Sequence, residues 1–149
     1  MPPDSPFRRV AALDLGKARV GVAVSDELGL LAHPRPTLDG RKRRALLDEL
    51  RRLADAEDVV RFVVGWPVAM SGEPGVAAAR AARFAQQLAD ATGREVELCD
   101  ERLTTVQAER ALAEGGMSRR RIRSNVDAEA AVLILQQWLD RHGPRRDDE

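Results

Sequence analysis

An acid stands at Asp14, directly after the apolar run Val10-Ala11-Ala12-Leu13. A carboxylate buried in such a run without a partner is costly. Two further acids occupy comparable places: Glu101 follows the run Glu95 to Cys99 after Asp100, and Asp127 opens the last segment of apolar periodicity. If the chain brings these three to one rim, they repel one another, and at least one pKa rises unless a cation joins them. Hard divalent ions such as Mg2+ or Mn2+ suit an all-oxygen donor set. Two such ions about 3.5–4 Å apart activate a water and stabilise the leaving oxygen of a phosphodiester, with no histidine or serine nucleophile. Each acid also has a plainer reading. Asp127 suits a helix N-cap, Glu101 suits a surface ion pair with Arg102, and Asp14 suits a buried structural role.

Other chemistries fare worse. A lone Cys99 excludes a disulfide framework and a multi-cysteine zinc site, and it reads as a small core residue. His33 and His142 lack the spacing of a histidine zinc site. The 149 residues make one domain, long enough for a true core. No apolar run approaches the roughly 20 residues of a membrane span, and Met1 to Arg9 does not read as a secretory signal. The expectation is a cytoplasmic protein with no membrane partner. The 24 basic and 24 acidic residues cancel, which excludes a uniformly basic surface but not a local basic patch. Of the basic residues only Lys17 and Lys42 are lysine, a skew that composition alone explains. No tyrosine and five aromatics leave little for a stacking platform.

The elements that must position the acids follow from periodicity. Arg8 to Leu15 and Val20 to Ser25 read as strands, and the short GKAR link makes them an antiparallel hairpin. Leu30 to Thr37 reads as a third, irregular strand that Pro34 and Pro36 push to a sheet edge. Arg41 to Asp55 has a helical stripe at Leu46, Leu47, Leu50 and Leu53. Val59 to Val64 is a buried strand that ends in Gly65-Trp66-Pro67. Val76 to Ala91 is a helix stopped by Gly93, and Glu95 to Cys99 a fifth strand. Thr105 to Glu114 is read as a helix, Met117 to Asn125 as a basic connection, and Asp127 to Arg141 as the last helix. Helical crossovers make strands one, four and five parallel, and ligands favour the edge at their carboxyl ends. Asp14, Gly65-Trp66-Pro67 and Glu101 all fall at that edge. Asp127 joins them if the last helix docks back across the sheet.

Basic residues cluster near these acids. Arg119, Arg120, Arg121 and Arg123 closely precede Asp127, where they suit phosphates or a merely solvated loop. Arg41-Lys42-Arg43-Arg44 opens the first helix, where positive charge opposes the dipole. Trp66 stacks on an unpaired base if exposed, or else caps the core beneath its loop.

Four ordered segments, AALDLGKARVGVAVSD, VVGWPVAMSGEPG, DERLTTVQAE and VDAEAAVLILQQWLD, resemble the YqgF/RuvX family. The likeness runs from about Arg8 to Arg141. The family comprises small bacterial proteins with an RNase H-like fold, related to Holliday junction resolvases and implicated in nuclease maturation of the small-subunit ribosomal RNA precursor. By that resemblance Asp14, Glu101 and Asp127 are the catalytic, metal-holding acids, the same trio that the spacing suggested. Departures are local. Ala18 stands at the usual lysine place with Lys17 one residue earlier, while Arg19 matches. Trp66, Ala69 and Ser71 replace the usual Leu, Asn and Asp, and Glu129 replaces an apolar residue. Glu129 either faces solvent, the favoured reading, or adds a fourth carboxylate.

The combined expectation is an α/β, RNase H-like fold. It has a mixed five-stranded sheet, a three-strand meander plus two parallel strands, with helices on both faces. Residues 7–141 form the nuclease domain, and 1–6 and 142–149 are flexible tails. The expected function is a two-metal-ion nuclease using Mg2+ or Mn2+, acting near an end of the small-subunit ribosomal RNA precursor. Nucleic acid is expected to contact Lys17, Arg19, Trp66, Arg102, Arg119, Arg120, Arg121 and Arg123. Structured RNA, branched DNA and the ribosomal precursor particle are the expected partners, and the chain is expected to be a monomer or weak homodimer. A Holliday junction resolvase is the alternative, and a non-catalytic assembly factor the second. An actin-like or kinase-like nucleotide binder shares the Asp14-x-Gly16 hairpin but needs two such domains, for which the chain is too short.

Overall fold

The computed structural model describes residues 8–16, 18–66, 74–100 and 119–142, with side chains described for these except at 66, 74, 77, 100 and 119–127. The strands are β1 (Arg9–Leu15), β2 (Arg19–Ser25), β3 (Ala32–Asp39), β4 (Val59–Trp66) and β5 (Glu95–Asp100). The helices are α1 (Arg43–Glu57), α2 (Pro74–Thr92) and α3 (Arg119–His142). The sheet order is β3-β2-β1-β4-β5. β1, β2 and β3 form an antiparallel meander, and β1, β4 and β5 run parallel. This is the mixed α/β sheet that the periodicity implied. The carboxyl ends of β1, β4 and β5 therefore share one edge with the start of β2 and the end of β3.

Strand alternation divides the apolar residues between two layers. Ala11 and Leu13 of β1, with Val20, Val22 and Val24 of β2 and Phe62 and Val64 of β4, meet Leu46, Leu50 and Ala54 of α1 and Phe84 and Leu88 of α2. The opposite parity, Val10, Ala12, Ala23 and Val63, meets Ala131, Ile134, Leu135 and Leu139 of α3. The small residues on that second face let α3 lie close to the sheet. β3 is an edge strand containing Pro34 and Pro36, as a proline without an N–H requires. Gly93 ends α2 in a left-handed conformation, φ 70°, with its N–H donating to Ala89 O at 2.8 Å.

Three expectations are corrected. The last helix starts at Arg119, not Asp127. The basic run is thus helix rather than connection, and Asp127 lies two turns inside the helix, so it is no N-cap. Arginine is a good helix former, and the run contains nothing to break a helix. Gly65 and Trp66 belong to β4 rather than following it, because parallel pairing with β5 continues to Trp66 and Asp100. The third strand runs to Asp39, two residues beyond Thr37. The helix read over Thr105 to Glu114 lies outside the described residues.

An ion pair ties the β3 edge to the end of α1. Arg35 donates Nε to Glu57 Oε2 at 2.9 Å and a terminal nitrogen to Oε1 at 2.6 Å. These hydrogen bonds from Arg35 hold the Glu57 carboxyl below its ordinary value, against a smaller opposing effect of burial. A depressed carboxylate pKa contributes stability that is present above the unfolded value and lost as pH falls through the folded one. Arg35→Gln is therefore expected to lower stability at pH 7 by about 1 kcal/mol, a partly exposed pair being discounted for screening. Urea unfolding at stepped pH should show the difference from wild type closing below about pH 4.

Candidate active site

Asp14 lies on the α3 face of the sheet, one alternation beyond Ala12, and only 4% of it is exposed. Its lateral neighbours explain the space around it. Across the antiparallel ladder it faces Gly21, and across the parallel ladder it faces Gly65. Both glycines fall on the same face as Asp14 by strand parity, so no side chain flanks the carboxylate within the sheet. Gly65 in turn pairs with Cys99 of β5, which is half-buried and packs against the α3 layer. The result is a side-chain-free cradle on either side of a buried carboxylate, at the edge where the parallel strands end.

The β1–β2 link holds that carboxylate in place. Gly16 N–H donates to Arg19 O at 3.0 Å, and a Cβ at Gly16 would come within 2.6 Å of that same oxygen. Only glycine fits there. The link is tied laterally as well, with Gly40 N–H donating to Ala18 O at 2.8 Å. Arg19, exposed at the start of β2, pairs with Asp39 at the end of β3.

α3 is anchored to both margins of the sheet. On the β3 side, the Gln136 amide copies a strand: Ala32 N–H donates to its Oε1 at 3.0 Å, and its Nε2 donates to Leu30 O at 2.9 Å. On the β5 side, Trp138 donates its indole N–H to Glu97 Oε2 at 3.0 Å. Arg61 bridges Glu95 and Glu97 and lies over the Trp138 ring, 6.0 Å from its centroid. These contacts fix the helix that carries Asp127 on the face that carries Asp14. Asp127 is one turn before Ala131, which packs in that layer. Gly65 was placed at this edge from sequence, whereas Gly21, Gln136 and the Trp138–Glu97–Arg61 group were not singled out. The hairpin alone could have found Gly21, because a four-residue link sets Asp14 opposite it.

The structure thus brings Asp14 and the helix of Asp127 to one sheet face. Glu101 follows β5 directly but, with Lys17 and Arg102, lies outside the described residues, and the side chains of Trp66, Arg119, Arg120, Arg121, Arg123 and Asp127 are likewise not described. Glu129 is half-buried rather than fully solvent-facing. At 3.6 residues per turn it stands about 200° around α3 from Asp127, so the two do not share a helix face. Among the described residues, no three of His, Cys, Asp and Glu gather as a metal cluster. A buried carboxylate in a cradle that side chains would fill, on the face covered by the helix that carries a second acid, nevertheless fits a small hard cation held by oxygen. Among the described residues, no helix is long and apolar enough to cross a membrane.

Known proteins bear directly on this geometry. A family model described as RuvX, Holliday junction resolvase, matches residues 8–141. A protein of Anaeromyxobacter sp. strain Fw109-5, named as a candidate pre-16S rRNA nuclease, is 47% identical over 132 residues, covering 89% of this chain and 96% of its own. One of Myxococcus xanthus with the same name is 45% identical, covering 91% of this chain and 90% of its own. Among solved structures, Thermus thermophilus RuvC in complex with a Holliday junction substrate superposes with a TM-score of 0.52 at 14% identity, over 89% of this chain and 94% of that one. At that identity the likeness is one of fold, and it supports the RNase H-like architecture.

The anchoring of α3 is open to test. Gln136→Ala removes both strand-like bonds and leaves the Ala32 N–H and Leu30 carbonyl without that partner. The expected cost is about 1–3 kcal/mol in urea unfolding. An unchanged midpoint would show that the apolar layer alone holds the helix.

Proposed function

The chain belongs to the RuvX family of Holliday junction resolvases, and on that premise we propose that it is a divalent-metal-dependent nuclease. It hydrolyses phosphodiester bonds, and its substrate is an end of the small-subunit ribosomal RNA precursor. The observation that carries this reading is Asp14, a buried carboxylate cradled between Gly21 and Gly65 at the carboxyl edge of the sheet. The substrate follows from relatives at 45–47% identity that carry a ribosomal RNA precursor nuclease name.

In this reading Asp14, Glu101 and Asp127 hold Mg2+ or Mn2+. One or two ions there supply charge neutralisation and water activation for an in-line displacement. The chain's own groups do the rest. β1 is paired on both sides, which holds the Asp14 backbone in place as the substrate enters. Gly21 and Gly65 leave room for the scissile phosphate beside it. Arg19 and Lys17 on the hairpin, Arg102, and Arg119, Arg120, Arg121 and Arg123 on the first turns of α3 attract the backbone of the substrate. Trp66, at the end of β4, stacks on an unpaired base. The family description and the shared fold of RuvC favour a second reading on the same site, cleavage of a branched DNA junction. That activity cuts two strands and requires a symmetric pair of chains.

End-labelled precursor RNA, incubated with the protein in Mg2+ or Mn2+, tests the proposal. Asp14→Asn is expected to reduce cutting roughly a thousandfold or more, the equivalent of several kcal/mol of transition-state stabilisation, and chelation is expected to abolish it. A mutant that cuts at the wild-type rate contradicts the site. A mutant that still restores growth to a depleted strain would instead mark a binding-only factor.

A further inference from the structure

The positive charge at the start of α1 is poorly placed for stability. Arg43 and Arg44 lie in the first turn, Lys42 is the N-cap and makes no side-chain cap, and the first turn has no acid. Cations there oppose the helix dipole. Two of the four have local partners. Arg41 donates Nε and a terminal nitrogen to the Asp39 carboxylate, both at 3.0 Å. Those bonds hold Asp39 ionised, its pKa lowered to about 2. Arg43 donates to Gln87 Oε1 at 2.5 Å and lies over the Phe84 ring, 5.0 Å from its centroid. Lys42 and Arg44 are both exposed, and among the described residues neither side chain has an ion-pair or hydrogen-bond partner.

The position of this quartet is the second observation. β3 ends at Asp39, paired with Arg19 at the start of β2, and Gly40 is bonded to Ala18 in the hairpin that follows Asp14. The quartet therefore begins at the same sheet edge as Asp14, on its β2–β3 flank. Arg19 stands between them, on the Asp14 face of β2 by strand parity. Passing outward and over the edge from Asp14 come Arg19 on the Asp14 face, Arg41, and then Lys42 and Arg44, which open α1 on the opposite face, with Asp39 as the acid among them, already bonded to Arg41. We infer that Arg19, Lys42 and Arg44 form a phosphate-binding track that grips the nucleic-acid backbone on the β3 side of the active site. The ligand is the phosphodiester backbone of the same substrate, outside the bond to be cut. This inference rests on the nuclease reading above. It gives the misplaced charge a function: α1 accepts an unfavourable terminus because the substrate needs it.

The test uses the full chain carrying Asp14→Asn, which by that reading binds RNA in Mg2+ without cutting it. Binding of a fluorescein-labelled structured RNA is titrated from low to high salt, with and without Lys42→Gln and Arg44→Gln together. Each lost phosphate contact should reduce the salt slope of log Kobs by about 0.7–0.9. The double substitution is expected to lower the slope by about 1.5 and weaken binding roughly tenfold or more at low salt, across RNA sequences. Its Tm is expected to equal or exceed that of the parent, which separates lost contacts from lost fold. Arg8→Gln with Arg51→Gln removes the same charge elsewhere and is expected to leave the slope as it was. A Lys42/Arg44 variant with the parental slope and affinity overturns the track, while the nuclease reading survives. An equal loss in the Arg8/Arg51 variant also overturns it, by showing only a net-charge effect. If the Asp14→Asn parent itself cuts RNA, the nuclease reading fails first, and the track falls with it.

Discussion

A carboxylate buried near the carboxyl end of the central strand sets the terms for the rest of this fold. Asp14 sits on the central strand, paired on both sides, and is 4% exposed. Burial of a charge is strongly unfavourable unless something opposes it. The sheet makes the position rigid but offers no side chain beside it, because Gly21 and Gly65 are its lateral neighbours. The helix that carries Asp127 packs on that same face. α3 lies flat on small residues, held by Gln136 at one margin and by Trp138 at the other. The remaining layer of core, α1 and α2 against the other face, is free to be large and apolar.

Local arrangement and distant anchoring cooperate in this account. Gly16 closes the hairpin at a distance that forbids any side chain, and Gly40 ties the hairpin to the end of β3. The same hydrogen bond that steadies Asp14 also brings the basic start of α1 to its edge. Position in the sheet, not proximity in sequence, connects residue 14 with residues 42 and 44.

Much of this was legible before the structure. The strands were readable because each is a short apolar run, and their directions followed from the handedness of the crossovers. The meander and the parallel half of the sheet could therefore be assigned, and with them the edge where Asp14 falls. The start of α3 was not legible. Residues 119–125 hold a single apolar side chain, Ile122, so periodicity had nothing to register, although arginine propensity sufficed to continue the helix. The end of β4 was misjudged because Gly65 and Pro67 look like punctuation, whereas pairing with β5 keeps Gly65 and Trp66 in the sheet. Gln136 and Glu97 were invisible for another reason: a polar residue on a helix or an edge strand gives no local sign of the partner it meets across the fold. The family likeness implied the same three carboxylates, Asp14, Glu101 and Asp127, that spacing had already grouped, and added the expected substrate.

The central claim is that Asp14, Glu101 and Asp127 hold a divalent cation beside the cradle. Anomalous diffraction from crystals grown in Mn2+ addresses it most directly. The account predicts a peak against the Asp14 carboxylate, between β1 and α3, with Glu101 and Asp127 supplying oxygens to the same ion or its neighbour. A Mn2+ peak elsewhere on the chain, with none beside Asp14 at saturating metal, would contradict it.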